Sequence, residues 1–535
     1  MTRVISYDCT LRDGEQNEHV NWSLEDKQRY MEIAAPFVDV IEGGWPGANP
    51  IDTAFFDWAG GKNFGHARLA AFGMTGGRNC QVSDDEVFQR LVLAKTPVYT
   101  IFGKSWTLHT DSIIRVEREH NLEMIATSVS HLKQQQHGPM VVYDAEHFFD
   151  GFGENPTYAL STIVAAKDAG ADYIVLCDTN GGLTLGRLED AVSAALEHIP
   201  SAQLGIHLHN DRGRAILLSE RAVELGATMV QGCFNGFGER IGNADLGVVL
   251  TNLALDHPEL EVWSPEQLKG YTHLARKISE LANQEHPPNA PYSGVSAFAH
   301  KAGTHADAVQ KNPRAIEHAD PLRVGNQRRV VMSGYGGSAT VAAILEDTLR
   351  VSKTDPVCRS VVDLIGRLEH EKGYTYEGAE ASIVLMALRE LGKEPQYFTV
   401  GIDDSVEVEQ HSGVVMTKAL LQVKANGIEG YFCGVATGSL DAYRQALMSG
   451  IEQVYPGVSD RIHLVEYRVR NLNPKTGTAS VVRTHITMRD DQGEWSTVGF
   501  HDNVNAANWT ALVDGYLYGM WRLEQRGELT RRHTA

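Results

Sequence analysis

Two histidines stand two residues apart in the segment "GIHLHND", residues 205–211. The segment has the apolar pattern of a β-strand, and in a strand the side chains of residues i and i+2 point to the same face. His207 and His209 are therefore expected side by side, with Asn210 and Asp211 directly after them. Two interpretations are open from these residues alone. The pair either forms an exposed or hydrogen-bonded strand end, or it supplies two imidazole ligands to a metal ion.

The N-terminal half of the chain alternates strand and helix patterns. Ser23 and Asp26 have the spacing of a capping box at the start of the first helix. Eight strand–helix units in a segment of this length predict an α/β protein with a (β/α)8 TIM barrel. An open doubly wound sheet is the alternative, and the lack of a GxGxxG motif after the first strand counts against it. The predicted strands lie within the apolar runs 4–8, 38–44, 67–73, 98–103, 140–146, 172–178, 204–210 and 228–236.

Polar residues follow these strands at the end where barrel enzymes carry their catalytic groups. Asp13 follows the first strand. In a closed barrel only the eighth strand lies between the first and the seventh, so Asp13, His207 and His209 are predicted to converge. Two imidazoles and one carboxylate with open positions are typical of a catalytic divalent metal site. Asn243, after the eighth strand, is expected to complete the ligand set. Arg12 is expected to stabilise negative charge on an oxygen that the cation polarises.

Composition argues against several classes of protein. The formal net charge is −20, which disfavours binding to nucleic acid by bulk electrostatics. No apolar run reaches the ~18 residues that a membrane span needs. The six cysteines contain no CxxC pair, and the first ten residues have no signal-peptide pattern. A cytoplasmic protein with neither nucleic acid nor membrane as a partner is expected.

The chain changes in character after the predicted barrel. We assign the catalytic barrel to residues 1–265, a helical linker region to 266–372 and a C-terminal α+β domain to 373–535. The C-terminal domain shows no catalytic constellation, so regulation or assembly is its expected role. In so acidic a chain, the linker contains the local basic patch that an anionic ligand requires, and a solvated surface is the alternative interpretation. The patch comprises Lys301, Lys311, Arg314, Arg323, Arg328 and Arg329.

The motifs and their order resemble one family of enzymes, the isopropylmalate, homocitrate and citramalate synthases. The resemblance runs nearly from end to end of the chain. The stretches that carry it are "YDCTLRDGEQ", "IEGGWPGANPIDTAFF", "FGKSW", "DAEHFFDGF", "LCDTNGG", "HLHNDRG", "QGCFNGFGERIGNADL" and "SAFAHKAGTHADAV". The second of them, together with "GEWSTVGFHDNVNAANWTALVDGYLY", looks most like the citramalate synthase branch.

The resemblance implies a Claisen-type condensation of acetyl-CoA with a 2-oxo acid, most closely pyruvate, followed by thioester hydrolysis. It implies that the predicted ligands hold a divalent cation (Mn, Mg, Zn or Co) which binds the keto and carboxylate oxygens. Arg12 would polarise the ketone, and Thr179 would bind the carboxylate. Glu146 would lie near the acetyl methyl group and act in catalysis. Asp144 and Gln16 are implied as further substrate-binding residues.

The resemblance also implies roles outside the barrel. His305 in "GTHADA", with Asp307 nearby, would act as a catalytic residue in the active site of the partner subunit of a homodimer. The basic patch would suit the phosphates of CoA. The C-terminal domain is similar to the family's dimeric effector-binding domain, which senses isoleucine in the citramalate branch. The expected setting is the biosynthesis of isoleucine or a related branched-chain compound.

The sequence departs from the family pattern in the region of the acyl-CoA and the base. Ile316 stands in "IEHADP" where the family has a tyrosine, and a hydrocarbon cannot replace a phenol in proton transfer. Gly337 and Ala339 stand where polar residues are usual, and His19 stands where glycine is common. Tyr335 is a candidate to supply a phenol instead. The metal-site motifs are intact.

Three other functions fit part of the pattern. The same chemistry could use another 2-oxo acid or acyl-CoA, as in isopropylmalate or homocitrate synthases. The barrel could instead cleave a carbon–carbon bond like the 3-hydroxy-3-methylglutaryl-CoA lyases, which the long C-terminal domain disfavours. A barrel that has lost turnover and serves as a sensor is the third, and the complete set of Asp13, His207 and His209 counts against it.

Overall fold

The chain forms two compact units in the computed structural model. The first comprises Met1–Phe298 and Ala319–Gln327, and the second Ala299–His318 and Arg328–Ala535. The structure describes residues 2–300, 305, 308–309, 311–330, 337–400, 405–411, 414–472 and 480–532. The three domain limits inferred from the sequence stay a prediction.

A closed barrel of eight parallel strands forms the centre of the first unit. Each strand pairs with the next, and the eighth pairs with the first, so that Ile5 lies opposite Met229. The predicted (β/α)8 barrel is confirmed, and each strand lies within its predicted run or ends one residue beyond it. The strands are β1 (Ile5–Asp8), β2 (Val40–Glu42), β3 (Arg68–Met74), β4 (Val98–Lys104), β5 (Met140–Glu146), β6 (Tyr173–Asp178), β7 (Leu204–Leu208) and β8 (Met229–Gly232).

Helices follow the strands, and their apolar faces pack with the outward-facing strand residues in one core, as Leu188 and Ile163 do with Ile174 and Ile206. The first helix begins as predicted, because the Ser23 hydroxyl accepts a hydrogen bond from the backbone of the residue three positions on, at 3.1 Å. The helices of this unit are α1 (Leu24–Ala34), α2 (Pro50–Ala59), α3 (Glu86–Leu93), α4 (Arg118–Lys133), α5 (Phe148–Glu154), α6 (Pro156–Asp168), α7 (Leu185–Leu196), α8 (Ala215–Glu224), α9 (Leu246–Asp256) and α10 (Pro265–Leu281). Thr2–Arg3 and Leu260–Glu261 form a short additional parallel pair.

The interior of the barrel changes from apolar to polar along its axis. Val40, Val142 and Val175 belong to an apolar layer inside the barrel. Two residues further along each strand, the side chain again points inward, because strand side chains alternate with period two. The next inward-facing position of each of six strands is polar or a cysteine, and these side chains form a second, buried layer. Its members are Cys9, Glu42, Asp144, Cys177, His207 and Gln231.

The second unit contains two copies of a motif in which three long antiparallel strands are followed by a helix. The first copy comprises β9 (Ser405–His411), β10 (Val414–Ala425), β11 (Ile428–Ala436) and α14 (Ser439–Ile451), and the second β12 (His463–Asn471), β13 (Val482–Asp490), β14 (Gly493–His501) and α15 (Val504–Gln525). Two short strand pairs also belong to this unit. Thr399–Val400 pairs with β10, and Ala299–His300 pairs with Arg329–Val330. Three helices precede the two copies, namely α11 (Ser338–Leu349), α12 (Pro356–Lys372) and α13 (Glu380–Glu390).

The two copies pack helix on sheet through the same contact. A Cβ added to Gly434 of β11 would lie 2.0 Å from the carbonyl oxygen of Ala442 in α14. A Cβ added to Gly499 of β14 would lie 2.0 Å from that of Ala507 in α15. Glycine is therefore required at both positions for the helix to approach the sheet so closely. The C-terminal α+β architecture agrees with the sequence prediction, although the internal repeat was not predicted.

None of the helices that the structure describes is long and apolar enough to cross a membrane. All six cysteines are among the described residues, and none forms a disulfide bond.

Candidate metal centre and active site

The predicted metal ligands converge at the C-terminal end of the barrel. Asp13 lies in the turn after β1, where its backbone N–H donates to Cys9 O at 2.8 Å. His207 Nε2 lies 3.4 Å from Asp13 Oδ2, and His209 Nε2 lies 4.0 Å from the same oxygen. One ligand-type atom from each of the three residues lies within 4.8 Å of the other two. Each of these side chains is at most 6 % exposed.

Several buried polar atoms of this cluster have no hydrogen-bond partner among the described residues. They are Asp13 Oδ1, His209 Nδ1 and Asn243 Oδ1. A buried polar atom without a partner costs about 1–3 kcal/mol, so native proteins rarely keep three together. Oxygen and imidazole nitrogen donors with open positions are what a divalent transition metal requires. The residues therefore fit a bound divalent cation.

Asn243 is brought to the cluster by a glycine-rich loop after β8. His209 and Asn243 form an isolated antiparallel bridge, and Asn210 N donates to Gly242 O at 2.8 Å. Gly238 has φ of +144°, and a Cβ there would lie 2.2 Å from Asn243 Oδ1. Only glycine leaves room for that oxygen in its observed position. Gly238 of the stretch "GFGERIGN" is therefore needed for the observed position of Asn243.

Arg12 lies beside Asp13 and is held from three sides. Its Nε donates to the fully buried Glu42, its Nη1 donates to Asp13 Oδ2 at 3.0 Å, and its guanidinium carbon lies 3.8 Å from the centre of the Phe72 ring. Burial by itself raises the pKa of Asp13, whereas Arg12 and the two histidines lower it, and the net pKa lies well below its usual range. Asp13 is therefore an anion at neutral pH.

The two histidines of the cluster, His207 and His209, have different surroundings. Burial lowers the pKa of His209 to about 4, so that this imidazole is neutral at pH 7. Burial also acts to lower the pKa of His207, but its hydrogen bond to Asp13 and the charge of that carboxylate raise the value overall. His207 Nδ1 lies 2.9 Å from Gln231 Oε1, and Gln231 Nε2 donates to Asp144 Oδ1 at 3.0 Å. Asp144, predicted to bind substrate, has this glutamine as its neighbour.

A second group at the strand ends was not predicted in full. Glu146 ends β5 and pairs with Lys104 at the end of β4. His109 and His147 follow these two strands, their ring centres lie 4.2 Å apart, and each has an Nδ1 without a described hydrogen-bond partner. Burial and the neighbouring His147 lower the pKa of His109 to about 4. One ligand-type atom each of His109, Glu146 and His147 lies within metal-binding range of the others, but Lys104 already neutralises the carboxylate.

Sequence reasoning found Glu146 and missed the two histidines. The available signal was their position, because "KSWTLH" and "AEH" stand at the ends of the fourth and fifth predicted strands. His109 begins a π-helical turn, His109–Ile114, and His147 has a left-handed backbone with φ of +57°. Such irregular backbone is common at functional sites.

Thr179 follows β6 and is fixed by its neighbours. Its hydroxyl oxygen accepts a hydrogen bond from His147 N at 3.0 Å, and its carbonyl accepts from Arg240 at 2.9 Å. Arg240 also pairs with Asp211 at 2.8 Å and so joins the loops after β6, β7 and β8. Gln16 lies on the turn Gly14–Gln16 and is exposed, and no described contact joins it to the metal ligands.

Most of the residues predicted outside the barrel belong to the second unit, whereas Arg323 of the basic patch belongs to the first. His305 is exposed, whereas Asp307 and Tyr335 lie outside the described residues. Ile316 is 38 % exposed. Part of the predicted basic patch is neutralised within this unit, because Arg328 pairs with Glu317 at 2.6 Å and Arg329 with Glu380 at 2.7 Å. Gly337 precedes α11, and Ala339 lies within it.

Comparison with known families covers most of the chain. The profile of the HMGL-like family matches residues 3–274, which include the whole barrel and all predicted metal ligands. The homocitrate synthase post-HMGL domain-like profile matches residues 293–372. The LeuA allosteric (dimerisation) domain matches residues 377–520, which contain the first sheet–helix copy and all of the second except the last five residues of its helix.

Relatives of known name match over almost the full length. A protein of Aquifex aeolicus named (R)-citramalate synthase is 41 % identical over 98 % of this chain and 99 % of its own. Proteins of the same name from Geobacter sulfurreducens and Synechocystis sp. are 39 % and 38 % identical over 98 % and 97 % of this chain, and over 99 % and 96 % of their own. The chain therefore belongs to the HMGL-like family and, within it, to the (R)-citramalate synthase group.

Proposed function

We propose that this chain condenses acetyl-CoA with pyruvate and hydrolyses the thioester, which releases CoA and (R)-citramalate. The observation that carries the proposal is the buried cluster of Asp13, His207 and His209 with Arg12 beside it. This cluster occurs in a chain that is 38–41 % identical to proteins named (R)-citramalate synthase along almost its whole length.

The metal centre and Arg12 are proposed to act on the ketone of the 2-oxo acid. Asp13, His207 and His209 would hold the cation, which when bound supplies Lewis acidity toward the carbonyl oxygen. Arg12 offers its remaining N–H groups to the same oxygen as negative charge develops there. Glu42, Asp13 and Phe72 already fix the guanidinium, so little reorganisation is needed during the reaction.

Thr179 and Glu146 are proposed to position the two substrates. The Thr179 oxygen accepts from His147 N, which directs its own O–H away from that bond and toward a substrate carboxylate. Glu146 is held by Lys104 at the end of β5, where it would face the acetyl group. Gln16 is proposed to contact substrate from the turn after β1.

We propose His305 of the partner subunit, with Asp307, for removal of a proton from the acetyl methyl group. The resulting enolate carbon attacks the ketone carbon, and water then cleaves the thioester. General bases contribute about 10²–10⁴ to the rate, so His305→Ala is expected to lower kcat by such a factor. Ile316 offers no phenol in the second unit, and Ile316→Tyr is therefore expected to raise kcat.

A homodimer is proposed through the LeuA dimerisation domain. Tyr431 and Val435 of β11, and Val465 and Val469 of β12, are each more than 40 % exposed. Monomeric proteins rarely leave apolar sheet faces uncovered, so a second copy is the proposed cover. Sedimentation should show a dimer, and Tyr431→Asp with Val469→Asp should shift the chain to a monomer. A monomeric wild-type chain would refute this proposal.

An isoleucine-like effector is proposed for a cavity of ≈ 700 Å³ in the same domain. It lies at the start of α14, where the helix dipole favours a carboxylate, and it combines charged with apolar groups. Isoleucine is expected to inhibit CoA release, and Arg444→Leu is expected to relieve the inhibition. Among its lining residues are Ser439, Asp441, Arg444, Ile462, Leu464 and Tyr516.

The central experiment is release of free CoA from acetyl-CoA with a panel of 2-oxo acids. Pyruvate should give the highest kcat/KM, the product should be (R)-citramalate, and a chelator should abolish the reaction until Mn²⁺ is restored. Asp13→Ala should abolish CoA release, whereas His273→Ala, at an exposed position of α10, should leave it unchanged. Absence of CoA release with every 2-oxo acid would refute the proposal.

A further inference from the structure

The side-chain amide of Gln231 is hydrogen-bonded on both sides inside the barrel. Its Oε1 lies 2.9 Å from His207 Nδ1, and its Nε2 donates to Asp144 Oδ1 at 3.0 Å. Gln231 is fully buried, and Asp144 is 4 % exposed. His207 and Gln231 are also direct register partners on β7 and β8. The backbone of the barrel, and not a loop, therefore fixes this row of side chains.

The direction of these bonds determines which nitrogen of His207 carries a hydrogen. A carboxylate can only accept, so Asp144 orients the amide of Gln231 with its NH₂ group toward the carboxylate and its oxygen toward His207. That oxygen accepts a hydrogen bond only from a protonated Nδ1. Nε2, which lies 3.4 Å from Asp13 Oδ2 and 3.4 Å from Asn243 Nδ2, is then the nitrogen that faces the proposed metal cluster.

We propose that Gln231 and Asp144 are positioning residues of the metal centre, which fix the Nδ1–H tautomer of His207 and orient its ring. Neither residue needs to touch substrate for this role. Partners of this kind typically change metal affinity by about 10–100-fold when they are removed. The inference rests on the proposed function, because it takes Asp13, His207 and His209 as metal ligands. It gives Asp144 an indirect role in place of the predicted contact with substrate.

The competing explanation is that the pair merely fills the polar interior of the barrel. A structural role would alter the melting temperature, whereas a positioning role also alters metal affinity in a way that depends on hydrogen-bond polarity. The two explanations separate in variants that keep the shape and change the donors. Burial raises the pKa of Asp144 to about 7, so measurements at pH 8 keep its carboxylate ionised.

The test is a titration of the chelator-treated full-length chain with Mn²⁺, in which the EPR signal of free Mn²⁺ measures how much of the metal is bound. Gln231→Leu keeps the volume and removes both hydrogen bonds, so Mn²⁺ should bind about 10–100-fold more weakly. The double variant Gln231→Glu with Asp144→Asn reverses the direction of the hydrogen bond between positions 231 and 144. The new amide donates to the new carboxylate, whose second oxygen still accepts from His207 Nδ1. This variant should regain Mn²⁺ affinity relative to Gln231→Leu.

The matched control is Asn121→Leu, which removes another fully buried amide of the barrel unit. Asn121 donates to Lys104 O and Tyr158 Oη, both at 2.9 Å. This variant should lower the melting temperature and leave Mn²⁺ affinity unchanged. If it weakened Mn²⁺ binding as much as Gln231→Leu does, the effect would reflect general loosening, and the proposal would be wrong.

Wild-type affinity in Gln231→Leu overturns the proposal, and so does a double variant that binds no better than Gln231→Leu. If Gln231→Leu does not fold, the double variant decides alone. If the double variant binds Mn²⁺ with an affinity near that of the wild type, the proposal is supported. Weak Mn²⁺ binding or failure to fold overturns it, because the reversed pair keeps both hydrogen bonds. A wild-type chain that binds no Mn²⁺ would instead refute the metal centre itself.

Discussion

Lys27 is predicted to stabilise the two turns that position the Arg12–Glu42 ion pair. This lysine of α1 is fully buried, and its ammonium lies 2.5 Å from Asp52 Oδ1 and 3.0 Å from Glu15 Oε2. It also donates to Leu11 O at 3.1 Å and to Gly43 O at 3.2 Å. These carbonyls directly precede Arg12 and follow Glu42, so one ammonium ties together the two turns that carry the ion pair of the site.

Replacement of Lys27 by methionine keeps most of the volume and leaves the Asp52 carboxylate, 6 % exposed, without its cation. Removing one partner of a buried ion pair typically costs about 3–5 kcal/mol. A unit of this size loses about 2 °C per kcal/mol, so the barrel should melt roughly 6–10 °C lower. The turnover number should fall as well, because the turns on either side of the ion pair lose their common anchor.

Scanning calorimetry of the full chain measures the first part, and CoA release measures the second. Adding Asp52→Asn to Lys27→Met removes the unpaired charge, and the new side-chain oxygen still accepts from Trp45 N, so part of the loss should be recovered. Lys269→Met, at an exposed position of α10, is the control and should change stability by less than about 0.5 kcal/mol. A Lys27→Met barrel that melts within 2 °C of the wild type would refute the reasoning, since the expected ~3–5 kcal/mol would then be missing.

Three further predictions concern the site and its surroundings. Glu42→Gln removes the charge that holds the Arg12 guanidinium beside the proposed metal centre, so kcat should fall about 10²-fold with little change in Mn²⁺ affinity. Equal losses of both would contradict this. Gly238→Ala places a Cβ 2.2 Å from Asn243 Oδ1 and should weaken Mn²⁺ binding, whereas Gly186→Ala, with open space around it, should not. Burial raises the pKa of Asp8 from 3.8 to about 6 despite its hydrogen bonds, so the unfolded chain ionises first as pH rises. The stability of the wild type relative to Asp8→Asn should therefore fall between pH 4 and 6 and stay level above pH 6, and calorimetric melting curves that show a constant difference would refute this.

The linear pattern was sufficient to predict the barrel and the clustering of the three candidate metal ligands. Strand and helix periods repeat eight times, and the rule that barrel sites lie at the C-terminal strand ends then brought Asp13, His207 and His209 to one end. Strand alternation had already put the two histidines on one face. These inferences depend on local periodicity and on topology, which the order of residues contains directly.

Other features depend on contacts between strands that are far apart in the chain. Gln231 meets Asp144 across 87 positions of sequence, and only the closed barrel brings β5 and β8 to face each other. The pairing of His109 with His147 requires the turns after β4 and β5 to bend toward each other. In the second unit, Gly434 and Gly499 stand in equivalent helix–sheet contacts, and this equivalence shows the repeat.

The sequence by itself determined the class of the fold, the end of the barrel at which the candidate site lies and the residue types that cluster there, because these follow from residue types and their periods. The tertiary structure decided which polar groups satisfy one another and which are left for a ligand. Asp13 Oδ1 and Asn243 Oδ1 have no described hydrogen-bond partner, whereas the carboxylate of Asp144 accepts a hydrogen bond from Gln231. Carboxylate and amide look equally available in a sequence, and only the distances of a packed interior show which of them are already used.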